Sequence, residues 1–222
     1  MKATVLRAAS FRSLGPRLFD SVILAELIEA VKDRYNFRQV PTLAELADKP
    51  GTFGYGELKR GDAPIVIEQM IIAYAGIQAT SVGASTRTST EDSDFFLDDI
   101  IGWFGEKYRL DTASPFAPAY QSSLEVVFVE AITDRFEKLR PVGQQIAQFV
   151  KRYGVQNCPD FVLEGLSMHF EPNPALIPSP VAFSIQRRIG SRYADNKYFS
   201  QAPLKTKDHE AVLEQLETIL LT

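Results

Sequence analysis

One sequence pattern occurs twice, and it constrains the fold more than any other feature. Thr90-Glu91-Asp92-Ser93-Asp94-Phe95-Phe96-Leu97-Asp98-Asp99-Ile100 is matched by Thr206-Lys207-Asp208-His209-Glu210-Ala211-Val212-Leu213-Glu214-Gln215-Leu216. Thr, Asp and Leu recur at the same spacing, with an acid after the Leu and an aliphatic residue two positions later. The two threonines are 206 − 90 = 116 positions apart. Upstream, a helix-like run ends Val31-Lys32-Asp33-Arg34-Tyr35, and a second ends Val150-Lys151-Arg152-Tyr153. Each precedes an apolar stretch with an acid at its fourth position, Ile65-Val66-Ile67-Glu68 and Phe161-Val162-Leu163-Glu164. Such a recurrence predicts two copies of one strand–helix–hairpin–helix unit.

The local signals fill in that frame. Lys2 to Arg7 favours a strand. Leu24, Leu27, Ile28 and Val31 recur at helical spacing within a helix expected over 16–35. Residues 36–63 are punctuated by Pro41, Pro50, Gly51, Gly54, Gly56 and Gly61, and read as an insertion with one short strand, Thr52 to Lys59. Pro64 to Tyr74 and Ile77 to Ser89 read as a hairpin, followed by a helix over 91–108. In the second half the expected order is a strand over Leu124–Val129 and a helix over Ile132–Tyr153, interrupted near Pro141 and Gly143. Strands over Phe161–Phe170 and Val181–Gly190 follow, then a helix from Thr206. The expected fold class is α+β: an antiparallel sheet with helices packed on one face. The units span 1–112, with the insertion at 36–63, and 119–222, together making one pseudo-symmetric domain.

Composition narrows the function classes. At 45% apolar and 23% charged the chain can bury a real core. The net charge of −4 disfavours nucleic acid as a partner. Cys158 is the only cysteine, so a disulfide-stapled secreted domain is excluded and a reducing compartment is expected. The start, Met1 to Arg7, lacks a signal-peptide pattern, and no apolar run is long enough for a bilayer. The expected setting is cytoplasmic, without membrane contact.

No catalytic set, metal site or cofactor motif stands out. The acids Glu91, Asp92, Asp94, Asp98 and Asp99 suit a helix first turn better than a cation site. His169 reads as a sheet residue and His209 as an exposed first-turn residue. Neither has zinc-ligand spacing. Walker, dinucleotide and nucleophile-elbow motifs are absent.

Two surfaces remain as candidates. The return strands carry Thr80 and Arg87 in one half and Arg188 and Arg192 in the other, a set suited to a small anionic ligand. The helix holding Phe96, Ile101 and Trp103 is apolar nearly all round, which marks a buried helix or half of an interface. The expected function is a non-enzymatic binding or assembly module, a homo-oligomer or one component of a complex with a protein partner. The alternative is a small-anion binder or enzyme that uses the sheet face around Arg87 and Arg188.

Overall fold

The structure is a computed structural model and describes residues 1–14, 24–61, 63–75, 78–108, 117–153, 159, 161, 163–169 and 181–221. Strand β1 is Lys2–Ser13, followed by helices α1 (Leu24–Tyr35) and α2 (Leu43–Asp48). Strands β2 (Gly51–Arg60), β3 (Ala63–Ala75) and β4 (Gln78–Thr86) lead into α3 (Thr90–Tyr108). The second half begins with β5 (Ala119–Val127). A 3-10 segment, Ile132–Leu139, then runs into α4 (Arg140–Arg152). Strands β6 (Gly165–Met168), β7 (Phe183–Arg187) and β8 (Lys197–Ala202) precede α5 (Thr206–Leu221). The described strands form one antiparallel sheet ordered β2-β3-β4-β1-β5-β8-β7-β6. The chain therefore has the α+β class with an antiparallel sheet.

The strand–helix–hairpin–helix unit needs correction. Each half has a strand, helical structure, a three-stranded meander and a helix. The expected insertion strand is β2, a full partner of β3 over Gly51–Arg60. Its place in the order is matched by β6 at the opposite edge. Lys197–Ala202, expected as loop, is a strand whose Tyr198, Ser200 and Ala202 are fully buried. The two acid-ending stretches do not occupy like positions: Ile65–Glu68 lies in β3, whereas Phe161, Leu163 and Glu164 lie before β6 and outside any strand. Cys158 falls outside the described residues, as do the expected turn holding Pro172, Pro174, Pro178 and Pro180 and residues 111–116 of the linker expected over Asp111–Ala119.

Local chemistry explains several boundaries. Thr42 and Glu45 form a capping box that starts α2, with Glu45 N–H donating to Thr42 Oγ1 at 3.3 Å. Pro141 sits in the first turn of α4, where its missing N–H costs nothing. The expected interruption of 132–153 is thus a change from 3-10 to α geometry, with a kink at Phe136.

The two halves keep the same register. Ala8 pairs with Thr86 and Ser10 with Ala84; Ser122 pairs with Ala202 and Leu124 with Ser200. One strand further out, Ala84 faces Met70 and Ser200 faces Ile185. At the edges Met70 faces Phe53 and Ile185 faces Leu166. The halves meet at β1 and β5, where Ala8 faces Ser122. Above that pair the helix starts interlock: Thr90 N–H donates to Thr206 Oγ1 at 3.0 Å, and Thr206 N–H donates to Thr90 Oγ1 at 2.9 Å. Two orphan N–H groups at helix starts are satisfied reciprocally.

The helix side of the sheet holds two apolar clusters. The first joins Leu27, Val31 and Tyr35 of α1 to Phe37, Phe53, Ile67, Met70 and Val82, beneath Phe96, Leu97, Ile100 and Phe104 of α3. Tyr35, Phe37 and Phe96 meet edge-on, with centroids 4.9 Å apart for Tyr35 and Phe96. The second is smaller: Leu124, Val126, Phe128, Ile132, Ile185, Tyr198 and Leu213. Burying each large side chain contributes about 1.5–3 kcal/mol, so the first half carries more of the apolar stabilisation.

Candidate functional site: the second sheet face

Alternation along each strand sets two faces apart. Ser10 Oγ donates to Thr90 O at 3.2 Å and Ser93 Oγ to Ala8 O at 2.8 Å, so Ala8 and Ser10 face the helices. Arg7, Ala9 and Phe11 therefore face the other way. The same parity turns Gly83 and Ser85 of β4, Gln121, Ser123 and Glu125 of β5, and Phe199 and Gln201 of β8 to this second face. The clusters packed by α1, α2, α3 and α5 all lie on the first face.

The centre of the second face is low and polar. Ala9 is 1% exposed, Ser85 2% and Ser123 6%. Ala9 pairs with Ser85 on one side and Gln121 on the other, and Arg7 pairs with Ser123. The Phe11 ring lies across Gly83, where an added Cβ would come 2.5 Å from Cδ1 of the ring. Glycine is required there for that close approach. Among the described residues neither the Ser85 nor the Ser123 hydroxyl has a hydrogen-bond partner. Among the described residues no enclosed side-chain polar atom is unsatisfied, so both oxygens open onto the face.

Arg7 distinguishes itself by its partner. Its Nη2 donates to Gln69 Oε1 at 3.1 Å, a neutral amide. Among the described residues it has no carboxylate. Arg87, Arg188 and Lys197 on the same face do. Arg87 pairs with Glu68. Arg188 lies 3.5 Å and Lys197 3.0 Å from Glu125, which serves both. A guanidinium with most donors unfilled, beside free hydroxyls, can hold a carboxylate or phosphate through paired N–H···O bonds.

The residues expected for an anion are not gathered. Arg87 and Arg188 lie at opposite sides of the sheet; Arg87 has Glu68 to itself, and Arg188 shares Glu125 with Lys197. Arg192 is 87% exposed and pairs with Asp195 at 3.1 Å in a turn beyond β7. The side chain of Thr80 lies outside the described residues. The sequence reading missed Arg7, Ser85 and Ser123. Their signal is a single charge in an otherwise small and apolar stretch, but only the strand order puts Arg7 beside Ser123.

The expected interface on α3 also needs correction. Phe96 is fully buried in the chain's own core and offers no surface. Trp103 packs edge-on against Tyr35 at 6.2 Å, with Arg34 5.2 Å and Lys107 4.9 Å from its ring. Ile101 is half-buried against the same cluster. The insertion, through Phe37 and Phe53, supplies the extra cover that this helix needs.

The histidines differ from expectation too. His209 is fully buried, not exposed: Nδ1 lies 3.1 Å from Ser122 Oγ and Nε2 2.9 Å from Ser200 Oγ. Burial pushes its pKa down to about 4. This Ser–His–Ser set has no access for a substrate. His169 is exposed just after β6, with Nε2 3.1 Å from Ser167 Oγ. Among the described residues no three His, Cys, Asp or Glu side chains converge as metal ligands. No described helix is long and apolar enough to cross a membrane.

In comparisons with known proteins, no family model and no curated protein sequence matched the chain.

Proposed function

We propose that the chain is a non-enzymatic binding protein built from a duplicated strand–helix–meander–helix unit, and that it receives an anionic ligand on the second sheet face, opposite the two apolar clusters. The duplication is supported by the matched register and by the reciprocal Thr90–Thr206 bonds. The ligand reading is carried by Arg7, the half-buried cation without an acid at the centre of that face. An arginine left without a carboxylate among hydroxyls and amides keeps its charge available for a carboxylate or phosphate group. The ligand chemistry kept from the sequence is the small anion; its centre moves from Arg87 and Arg188 to Arg7.

The test is titration of labelled protein with inorganic phosphate and with acetate, followed by amide chemical shifts. The expected result is saturable shifts centred on Arg7, Ser85 and Ser123. Arg7→Gln should weaken binding by about tenfold or more, the cost of losing charge-assisted hydrogen bonds. No saturable shift with either anion, or equal binding by Arg7→Gln, contradicts the reading.

A further inference from the structure

Helix α4 is turned inside out relative to α1. In α1 the large residues Leu27, Ile28, Val31 and Tyr35 are buried. In α4 the buried positions are the small ones, Gly143 and Ala147. Gly143 meets Phe161 so closely that an added Cβ would stand 1.9 Å from Phe161 O, and the Phe161 N–H reaches Gly143 O at 3.4 Å. The helix is docked through its small face. Its large apolar residues are left outside: Leu139 is 50% exposed, Val142 53%, Ile146 41%, Phe149 40% and Tyr153 79%.

Those five residues step by three and four in alternation, the spacing of a coiled-coil seam. They follow a narrow line along the helix. A helix lying in a bilayer surface normally carries a wider apolar face. The charged residues of α4 itself have one sign. Within Arg140–Arg152 they are Arg140, Lys151 and Arg152, with no Asp or Glu. Arg152 lies beside the seam, its guanidinium 5.4 Å from the Phe149 ring. A second copy of α4 would bring like charges together, which disfavours self-pairing.

We propose that α4 is a docking surface for an acidic amphipathic helix of a partner protein, whose apolar residues pack along Leu139, Val142, Ile146, Phe149 and Tyr153. Carboxylates of the partner flank that seam and meet Arg152. This surface is separate from the Arg7 face and does not depend on it.

The probe is a three-heptad peptide with Leu at positions a and d and Glu at e and g. Titration into the full chain should show saturable binding. A combined Ile146→Ser and Phe149→Ser variant should bind at least about tenfold more weakly. Arg152→Glu should also weaken binding, and added salt should reduce it. Circular dichroism of each variant checks the fold, which these exposed positions should leave intact. No binding of the acidic peptide overturns the proposal, as does equal binding of a peptide with Lys in place of Glu. Binding to phosphatidylglycerol vesicles without peptide binding overturns it in favour of a lipid surface. Wild-type self-association that the two serines abolish overturns it in favour of a second copy.

Discussion

The two halves share a strand frame and differ in what fills it. In the first half, α1, the insertion and α3 close over one aromatic-rich cluster. In the second half, the cluster is smaller, and α4 stands with its large residues outward. Thr90 and Thr206 set the comparison residue by residue, because they lie 116 positions apart and bond to each other. Leu97 then corresponds to Leu213, and both are fully buried. Phe96 corresponds to Val212, which is 37% exposed. Ser93 corresponds to His209. A frame held by backbone pairing tolerates this divergence, since register depends on strand alternation and not on which apolar residue fills a site. One half keeps the dense interior, while the other is freer to present surface.

The largest expected effect separates Phe96 from its counterpart. Phe96→Ala should destabilise by about 3–5 kcal/mol, because it opens a cavity in a dense cluster. Val212→Ala should change stability by less than about 1 kcal/mol, since part of that side chain already meets water. Leu97→Ala and Leu213→Ala should each cost about 2–5 kcal/mol. Urea unfolding of the four variants checks this. Equal losses at Phe96 and Val212 would break the contrast between the halves.

A smaller effect comes from Ser93 and His209. His209 is enclosed by Ser122, Ser200 and the Phe183 ring, 6.1 Å away, with no carboxylate among these contacts. Its pKa falls from the ordinary 6.5 to about 4 in the folded chain. The unfolded chain takes up this proton as pH drops below 6.5, whereas the folded chain resists until near 4. Stability therefore falls through that window as acid is added, by about 2 kcal/mol between pH 7 and pH 5. Serine at the equivalent site has no such titration. Unfolding free energies measured at pH 7, 6 and 5 should show the slope, and His209→Gln should flatten it. An unchanged slope in that variant sends the acid sensitivity elsewhere.

Much of the frame was legible in the sequence, and the reasons are particular. The Thr90 and Thr206 patterns name equivalent helix starts because capping and the first apolar turn depend on local sequence. Ile65–Glu68 and Phe161–Glu164 mislead, because an apolar run ending in an acid recurs without any shared position in the sheet. Lys197–Ala202 was missed as a strand because it is short and follows a turn, and its alternation shows only once Tyr198, Ser200 and Ala202 are seen buried. The candidate site was the least legible part. Arg87 and Arg188 are conspicuous in sequence, yet each meets a carboxylate across strands, Glu68 for Arg87 and, shared with Lys197, Glu125 for Arg188. Arg7 became visible only through the pairing that brings distant Ser123 beside it.

The matched register underlies the whole comparison, and cross-strand proton contacts measure it directly. Nuclear Overhauser spectra should connect the Ser10 and Ala84 backbones, and Leu124 with Ser200, as corresponding partners. They should also connect Met70 with Phe53, and Ile185 with Leu166. Contacts at all four pairs are the predicted result. A one-residue slip in either half would turn its apolar set to the opposite face and contradict the shared frame.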